Sequence, residues 1–537
     1  MVRIKIDNKE IQVKPGTRVI DALREYGTDV PSMCYLRGTN HFTSCMVCMV
    51  KDARTGDLFP SCSYQVEEGM EIISGDEEVL ESRKTALELL LSEHVGDCEA
   101  PCQITCPAHM DIPQMNRLLA EGKFNEALRV VKKDIALPSV FGRICPAPCE
   151  SACRRKSIDD PVSICLLKRY AGDHDLAKEK RYLPDIGSPK NKEIAIIGSG
   201  PGGLAAAYYL AIRGYHCMIY DRNKLPGGSL RKEVSGEILP TAVLDEEIDI
   251  IRNLGVAFEQ ETTVDSDRFK KISERADAIL IATGSETEEL KNWGLKMTGK
   301  GVEADPVTFR IKGSNVFAVG SALKPVRLAI RVLGQGKEVA FSIDQYIRGE
   351  KVTGEPFMFN SRFGKLLPEE FDEYLTESVP DGRLVPSGSD SKGAVGGKEH
   401  FTEKNPGFSK EEVMKEAARC MHCDCRDLAS CKLRLFADQY LASQKRFASD
   451  VRKPVTKQIQ HDLVIYEPTK CIKCGICVRL TSEHKEEFGL TFIGRGFDVV
   501  VGIPFNESLK NGLKKIALEV ADACPTGAIC RKLSEGN

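Results

Sequence analysis

IAIIGSGPGGLAAAYYLAIRGYHCMIYD, residues 194–221, decides the fold at the centre of the chain. Ile194 to Ile197 is a short apolar strand, and Gly198, Gly200 and Gly203 follow at G-x-G-x-x-G spacing. Pro201 stands at the first turn of a helix that reaches Arg213 and is stopped by Gly214. A second strand runs from His216 to Tyr220, and Asp221 and Arg222 close it. The first glycine allows the tight turn, the second lets the backbone approach a pyrophosphate, and the third packs helix on strand. The helix start offers free N–H groups to phosphate, and Asp221, 18 residues beyond Gly203, can accept from a ribose hydroxyl. The reading is a dinucleotide-binding βαβ unit.

Outward from this centre the chain extends to 537 residues, enough for three or four domains. It carries 21 cysteines against one tryptophan. Lys+Arg 75 against Asp+Glu 78 gives a net charge of −3, which points to neither nucleic acid nor an anionic membrane as partner. The polar start MVRIKIDNKEIQV has no secretory apolar region, and no stretch reaches the roughly 18 apolar residues of a membrane span. The expectation is a cytoplasmic chain, where clustered thiols mean metal or redox chemistry rather than disulfides.

The thiols fall into groups. Cys34, Cys45, Cys48 and Cys62 are spaced C-x10-C-x2-C-x13-C, behind strands at 2–6 and 10–13, a turn at Asn8-Lys9 and a helix over 17–26 stopped by Gly27. Four thiolates so spaced in one small domain can enclose a [2Fe-2S] cluster, the alternative being a zinc site or buried thiols. Cys471, Cys474 and Cys477 with remote Cys524 have the pattern of one [4Fe-4S] ferredoxin cluster. Cys420, Cys423, Cys425 and Cys431 lie within 12 residues, a knot that suits zinc or a further [4Fe-4S] cluster. Ser409 and Glu412 form a capping box that opens a helix before the knot. The Gly/Ser-rich run at 386–400 reads as a linker. Lys473 and Arg479 read as solvated, and Cys217 and Cys530 as core thiols.

Three resemblances follow from these motifs. Residues 1–80, including GTRVIDALREYG, resemble the [2Fe-2S] domain of the large iron–sulfur subunit of complex I and of iron-only hydrogenases, while CIKCGICV and CPTGAI resemble that subunit's [4Fe-4S] domain. His94-Val-Gly-Asp-Cys98 keeps the opening of its histidine-containing cluster site. CEAPCQITCPAHMDIPQMNRLLAEGKFNEAL and GRICPAPCESACRR are similar to the amino-terminal domain of the glutamate synthase small subunit, shared with dihydropyrimidine dehydrogenase, which holds two [4Fe-4S] clusters. The resemblance implies one cluster on Cys98, Cys102 and Cys153, completed by His94, and another on Cys106, Cys145 and Cys149, completed by Cys165. The central segments LPGGSLRKEV, ADAILIATGS and SNVFAVGSALKP resemble the same subunit, implying FAD along Gly227, Gly228, Ala282, Thr283, Gly284 and Gly320.

Two departures shape the functional expectation. Only 35 residues separate Gly284 from Gly320, too few for the NADPH domain the family inserts there, and the closing Gly-Asp reads Gly320-Ser321. The expected architecture is multidomain α/β and α+β. It divides into a β-grasp ferredoxin-like domain (1–80), a helical two-cluster domain (81–188), a Rossmann-like FAD domain (189–355), a linker (356–410), a four-cysteine knot with helix (411–455) and a [4Fe-4S] ferredoxin-like domain (456–537). The expected function is an iron–sulfur flavoprotein subunit of a multisubunit, NAD(P)-linked and electron-bifurcating complex of transhydrogenase, hydrogenase or formate dehydrogenase type. Its implied partners are a subunit like the FMN/NADH subunit of complex I, a small [2Fe-2S] subunit and a ferredoxin. The alternatives are a glutamate synthase small-chain-like NAD(P)H oxidoreductase and a wiring scaffold with a decayed flavin site.

Overall fold

A computed structural model describes residues 1–40, 42–285, 288–387, 406–448 and 451–532. The chain divides into two compact units, one of residues 1–99, 358–376 and 423–537, the other of 100–357 and 377–422. These divisions run across three of the expected domains. The helical domain of 81–188 is cut after Glu99, the linker of 356–410 gives a strap (358–376) to the first unit, and the knot of 411–455 is cut after His422. The cuts follow hydrogen bonds: Val95 N–H donates to Thr469 O at 2.9 Å, Cys98 N–H to Ser361 O at 3.1 Å, and Cys425 N–H to Cys98 O at 2.9 Å. Residues 388–400 of the expected linker lie outside the described residues.

The first unit opens with a hairpin of β1 (Val2–Ile6) and β2 (Lys9–Val13). Asp7 and Asn8 take the left-handed conformation between the strands, a turn whose twist matches the hairpin. With β3 (Met49–Asp52), β4 (Leu58–Pro60) and β5 (Glu71–Ile73) they form a mixed sheet ordered β2-β1-β5-β3-β4, in which β5 pairs parallel with β1. Ile4, Ile6 and Val13 alternate inward and meet Val19, Ile20 and Leu23 of the helix Val19–Glu25, the β-grasp arrangement. Gly27, at φ 81°, ends that helix. The long helix Glu77–Glu93, capped by Asp76, buries Leu87 and Leu91 with Leu433, Ala437, Tyr466, Ile476 and Val520 in one core. The carboxy-terminal part of that core carries strands Val464–Tyr466 and Ile529–Arg531, paired antiparallel, and helices Ile476–Glu483 and Ala517–Ala523.

The second unit joins a helical layer to a parallel sheet. Helices Pro138–Ile144 and Ile164–Leu176 cross at glycines, since a Cβ on Gly142 would lie 2.5 Å from Arg169 Cα and one on Gly172 2.7 Å from Ser139 N. Helix Lys410–Ala417, opened by the Ser409–Glu412 capping box, packs on Ile112–Ala120. The sheet comprises β6 (Glu193–Ile197), β7 (His216–Tyr220), β8 (Ala257–Glu259), β9 (Ala278–Ile281) and β10 (Val316–Ala318), ordered β10-β9-β6-β7-β8. All its pairings are parallel and its strands read as near-continuous apolar runs, as burial on both faces demands. Between β9 and β10 the described residues form the short helix Glu288–Asn292 and loops.

Candidate cofactor sites

The β6–helix turn is shaped by what its glycines exclude. A Cβ on Gly203 would stand 2.0 Å from Gly198 O, and one on Gly198 2.4 Å from Ala282 O. A Cβ on Gly228 would stand 2.8 Å from Gly200 Cα. Gly200 itself meets nothing within 4 Å, so its open face borders a cavity of about 410 Å³. Pro201 starts the helix Pro201–Ala211, whose positive end points at this cavity. Arg222, Thr283, Gly284, Gly320 and Ser321 also line it, while Gly227 holds the loop through its N–H to Ser199 O.

Two side chains here are held by their own loops. Asp221 accepts from Ser199 N–H (2.7 Å), Ser199 Oγ–H (2.5 Å), Asn223 N–H (2.8 Å) and Asn223 Nδ2–H (2.7 Å). Four donors meet its two oxygens, so the carboxylate fixes the cradle whose cavity it lines. Ser321 Oγ accepts from Val326 N–H at 3.3 Å, so the residue in place of the closing aspartate holds the loop after it. Thr283 Oγ1 and Trp293 Nε1 are buried on the cavity wall with no partner, and a bound polar group would satisfy them. Open-faced Gly200, the helix start and these two atoms fit a bound dinucleotide.

In the first unit, Cys34 touches the sulfurs of Cys45 and Cys62, and Cys48 touches Cys62. Hydrogen bonds from Cys45 and Cys62 drive the Cys34 thiol far down, and that from Cys62 holds Cys48 at about 7. Amides of Ser44 and Cys45 also donate to Cys34. Cys471, Cys474, Cys477 and Cys524 gather beneath Tyr466, with Lys473 N–H 3.3 Å from Cys471 Sγ and Ile529 N–H 3.4 Å from Cys524 Sγ. Arg479 corrects the expectation of a solvated side chain. It is 8% exposed, donates to Cys34 O (3.1 Å) and Cys474 O (3.5 Å), and lies over the Phe42 ring. It thus ties the first and last thiol groups of the unit together.

The 420–431 run crosses the boundary between the two units. Cys425 and Cys431 lie beside Cys98 in the first unit, whereas Cys420 lies beside Cys153 and the Asn116 side chain in the second. Burial pushes Cys98 and Cys420 up to about 11 and Cys431 to about 12. Of the expected trio, Cys98 belongs to the first unit and Cys102 and Cys153 to the second.

Cys106, Cys145, Cys149 and Cys165 do come together, with Cys165 contacting Cys145 and Cys149. Lys168, 3% exposed, reaches Cys165 Sγ at 3.8 Å and acts on all four thiols. Its placement one helical turn after Cys165 was visible in VSICLLKRY as an i,i+3 pair. One backbone device recurs. Ala147, His422 and Lys473, each two residues past a cysteine, take left-handed φ of 53°, 47° and 55°. Their N–H groups donate to the sulfurs of Cys145, Cys420 and Cys471. Cys420 therefore shares its turn with a ferredoxin-type ligand.

Four domain families match parts of the chain. They are a 2Fe-2S iron-sulfur cluster binding domain (1–77), dihydropyrimidine dehydrogenase domain II with its 4Fe-4S cluster (85–180), an NAD(P)-binding Rossmann-like domain (196–253), and the ferredoxin-like domain of NADH-quinone oxidoreductase subunit 3 (461–530). NADPH-Fe(3+) oxidoreductase subunit beta of Geobacter sulfurreducens is 40% identical over 191 residues, 35% of this chain and 28% of its own length. NADP(+)-dependent formate dehydrogenase subunit beta of Moorella thermoacetica is 35% identical over 207 residues, 34% of this chain and 29% of its own length. The NAD-dependent dihydropyrimidine dehydrogenase subunit PreT homolog of Salmonella typhi is 37% identical over 161 residues, 29% of this chain and 38% of its own length. The chain thus spans well under half the length of these relatives. No described helix is long and apolar enough to cross a membrane. The domains of this chain are the iron–sulfur and Rossmann-like domains of oxidoreductase subunits.

Proposed function

We propose that this chain is the electron-transfer subunit of a multisubunit NAD(P)-linked oxidoreductase, carrying FAD in the β6 cradle and iron–sulfur clusters on its thiol groups. The observation that carries the reading is the pairing, on one chain, of an open-faced glycine cradle with buried thiols supplied with backbone N–H donors. A flavin exchanges electrons in pairs or singly, and so joins hydride chemistry to one-electron carriers. In this reading Gly198, Gly200, Gly227, Gly228 and the start of helix Pro201–Ala211 hold the pyrophosphate, and Thr283 Oγ1 and Trp293 Nε1 gain partners from the bound group. Cys34, Cys45, Cys48 and Cys62 hold a [2Fe-2S] cluster; Cys471, Cys474, Cys477 and Cys524 a [4Fe-4S] cluster; and Cys106, Cys145, Cys149 and Cys165 another. Cys102, Cys153, Cys420 and Cys423 remain candidate ligands. Arg479 bridges the first two groups, giving them a short route through carbonyl oxygens.

Because the described residues between β9 and β10 form a short helix and loops, nicotinamide chemistry is assigned to a partner subunit; the Geobacter and Moorella relatives are themselves subunits of larger oxidoreductases. The test is anaerobic purification of the full chain. Released flavin identified as FAD, iron of at least about 10 atoms per chain, and no bleaching by NADPH alone are expected. Flavin-free protein, or rapid bleaching of the isolated chain by NADPH, overturns the assignment. Electron bifurcation belongs to the assembled complex and is tested there, by the coupled reduction of a low-potential ferredoxin.

A further inference from the structure

We propose that His94, Cys98, Cys425 and Cys431 form a single [4Fe-4S] site in the first unit, a ligand set drawn from two segments some 330 residues apart. The proposal rests on the reading of this chain as an iron–sulfur protein and adds a cluster to it. Its first support is the way the two segments are locked together. Cys425 N–H donates to Cys98 O at 2.9 Å, and the strap residue Ser361 donates its N–H to Cys98 Sγ at 3.3 Å. The sulfurs of Cys425 and Cys431 accept from the Asp427 and Arg434 amides, Cys431 standing as N-cap of the eight-residue helix Lys432–Gln439. All three thiols are buried, at 6%, 8% and 5% exposure.

The second support is charge. Lys470 and Arg434 are buried beside these thiols, each tied to one carboxylate, Lys470 Nζ to Glu467 Oε2 at 2.5 Å and Arg434 to Glu99 Oε1 at 2.8 Å. Each cation already has a carboxylate, and iron-bound thiolates would give it a second negative partner that neutral thiols do not. The third is the imidazole. His94 Nδ1 lies 3.2 Å from Lys470 O, and a proton donated there leaves Nε2 with the lone pair a metal ligand needs. Gly96, between His94 and Cys98, lies so close to Lys470 that a Cβ would meet its Cε at 2.8 Å, which presses the turn against the lysine. Gly527, in the turn after Cys524, is equally close: its Cβ position is 3.2 Å from Cys425 Sγ, which sets this site next to the carboxy-terminal cluster.

The experiment uses the anaerobically purified full chain, with iron, zinc and acid-labile sulfide per chain and pulsed EPR of the reduced protein. Wild type is expected to show strong nitrogen coupling from an imidazole ligand. Cys431→Ala is expected to lose about four irons while keeping the flavin and the [2Fe-2S] signal. His94→Cys, which preserves a ligand and guards against a folding defect, is expected to keep the iron and lose the nitrogen coupling. Unchanged iron in Cys431→Ala, or about one zinc lost in its place, overturns the site, and coupling that survives His94→Cys overturns the imidazole ligand. Wild type lacking iron altogether fails the parent reading instead, so the two failures are distinct.

Discussion

Lys168 offers the sharpest test of how the protein sets a cluster's potential. Its ammonium is 3% exposed and 3.8 Å from Cys165 Sγ, inside the group formed with Cys106, Cys145 and Cys149. The nearest carboxylate neighbour of the group, Glu150, is spoken for: it accepts the Cys165 N–H at 2.9 Å and pairs with Arg383 at 2.8 Å. Reduction adds one negative charge to the cluster, and a fixed cation favours that state. Two unit charges about 4 Å apart at an effective dielectric constant near 20 interact by about 4 kcal/mol. Because the added electron is spread over a cubane and lies further off than the nearest sulfur, about half of this is the reasonable figure. At about 1.4 kcal/mol per 59 mV for a one-electron couple, this is roughly 80 mV. Lys168→Met, which keeps the buried stem and deletes the charge, is therefore expected to lower the midpoint potential of this cluster by roughly 80 mV in an EPR-monitored redox titration. Lys168→Arg is expected to stay near the wild-type potential. An unchanged or higher midpoint in Lys168→Met, with the cluster signal intact, refutes the electrostatic reasoning.

Gly200→Val points its side chain into open cavity, so flavin retention should fall roughly tenfold or more while the melting temperature of the flavin-free protein holds. Gly203→Ala, whose Cβ meets Gly198 O at 2.0 Å, should instead lose folded yield. Equal melting losses in both variants would contradict the cradle assignment. Arg479→Leu removes the donors to Cys34 O and Cys474 O and should slow electron passage between those two clusters about tenfold in rapid-reduction experiments. Unchanged rates would remove Arg479 from the route. Glu338 is pushed up to about 7 by burial and by Glu355. The folded chain then holds this proton over a range in which the unfolded chain has lost it, so stability falls as pH rises from about 4.5 to 7 and the deficit is full above that. Glu338→Gln should raise stability at pH 8 by about 2–3 kcal/mol and leave pH 4.5 unchanged, read as paired melting curves.

What was legible in the sequence was local. The βαβ glycines, the Asp7-Asn8 hairpin one residue from its expected turn, and the Ser409–Glu412 capping box are each fixed within a few residues, by φ or by a single amide. What was not legible was long-range. Nothing in residues 358–376 marks the strap that puts Ser361 on Cys98, and nothing in the spacing at 420–431 marks Cys98 as the neighbour of Cys431 or Cys153 as the neighbour of Cys420. Cysteine spacing reports which thiols can turn towards a metal; which of them share it depends on contacts hundreds of residues away.

The same limit applies to charge. A net charge of −3 gives no hint that buried cations sit beside the thiols: Arg479 between Cys34 and Cys474, Lys470 by Cys98 and Cys425, Lys168 among Cys106, Cys145, Cys149 and Cys165, and Arg117 by Cys420. Each is at most 8% exposed. Burying an ammonium or guanidinium costs several kcal/mol unless a negative partner is at hand. The thiols can be that partner only as thiolates, yet burial alone drives most of them the other way, as at Cys98, Cys420 and Cys431. Iron resolves the conflict, because a coordinated thiol is deprotonated whatever its surroundings. The buried cations therefore argue for occupied clusters over inert core thiols more directly than spacing does. The argument has a measurable edge: protein freed of iron by chelation should lose more stability than the loss of an ordinary surface ligand explains, because the cations beside these thiols then lose the charge of the bound thiolates.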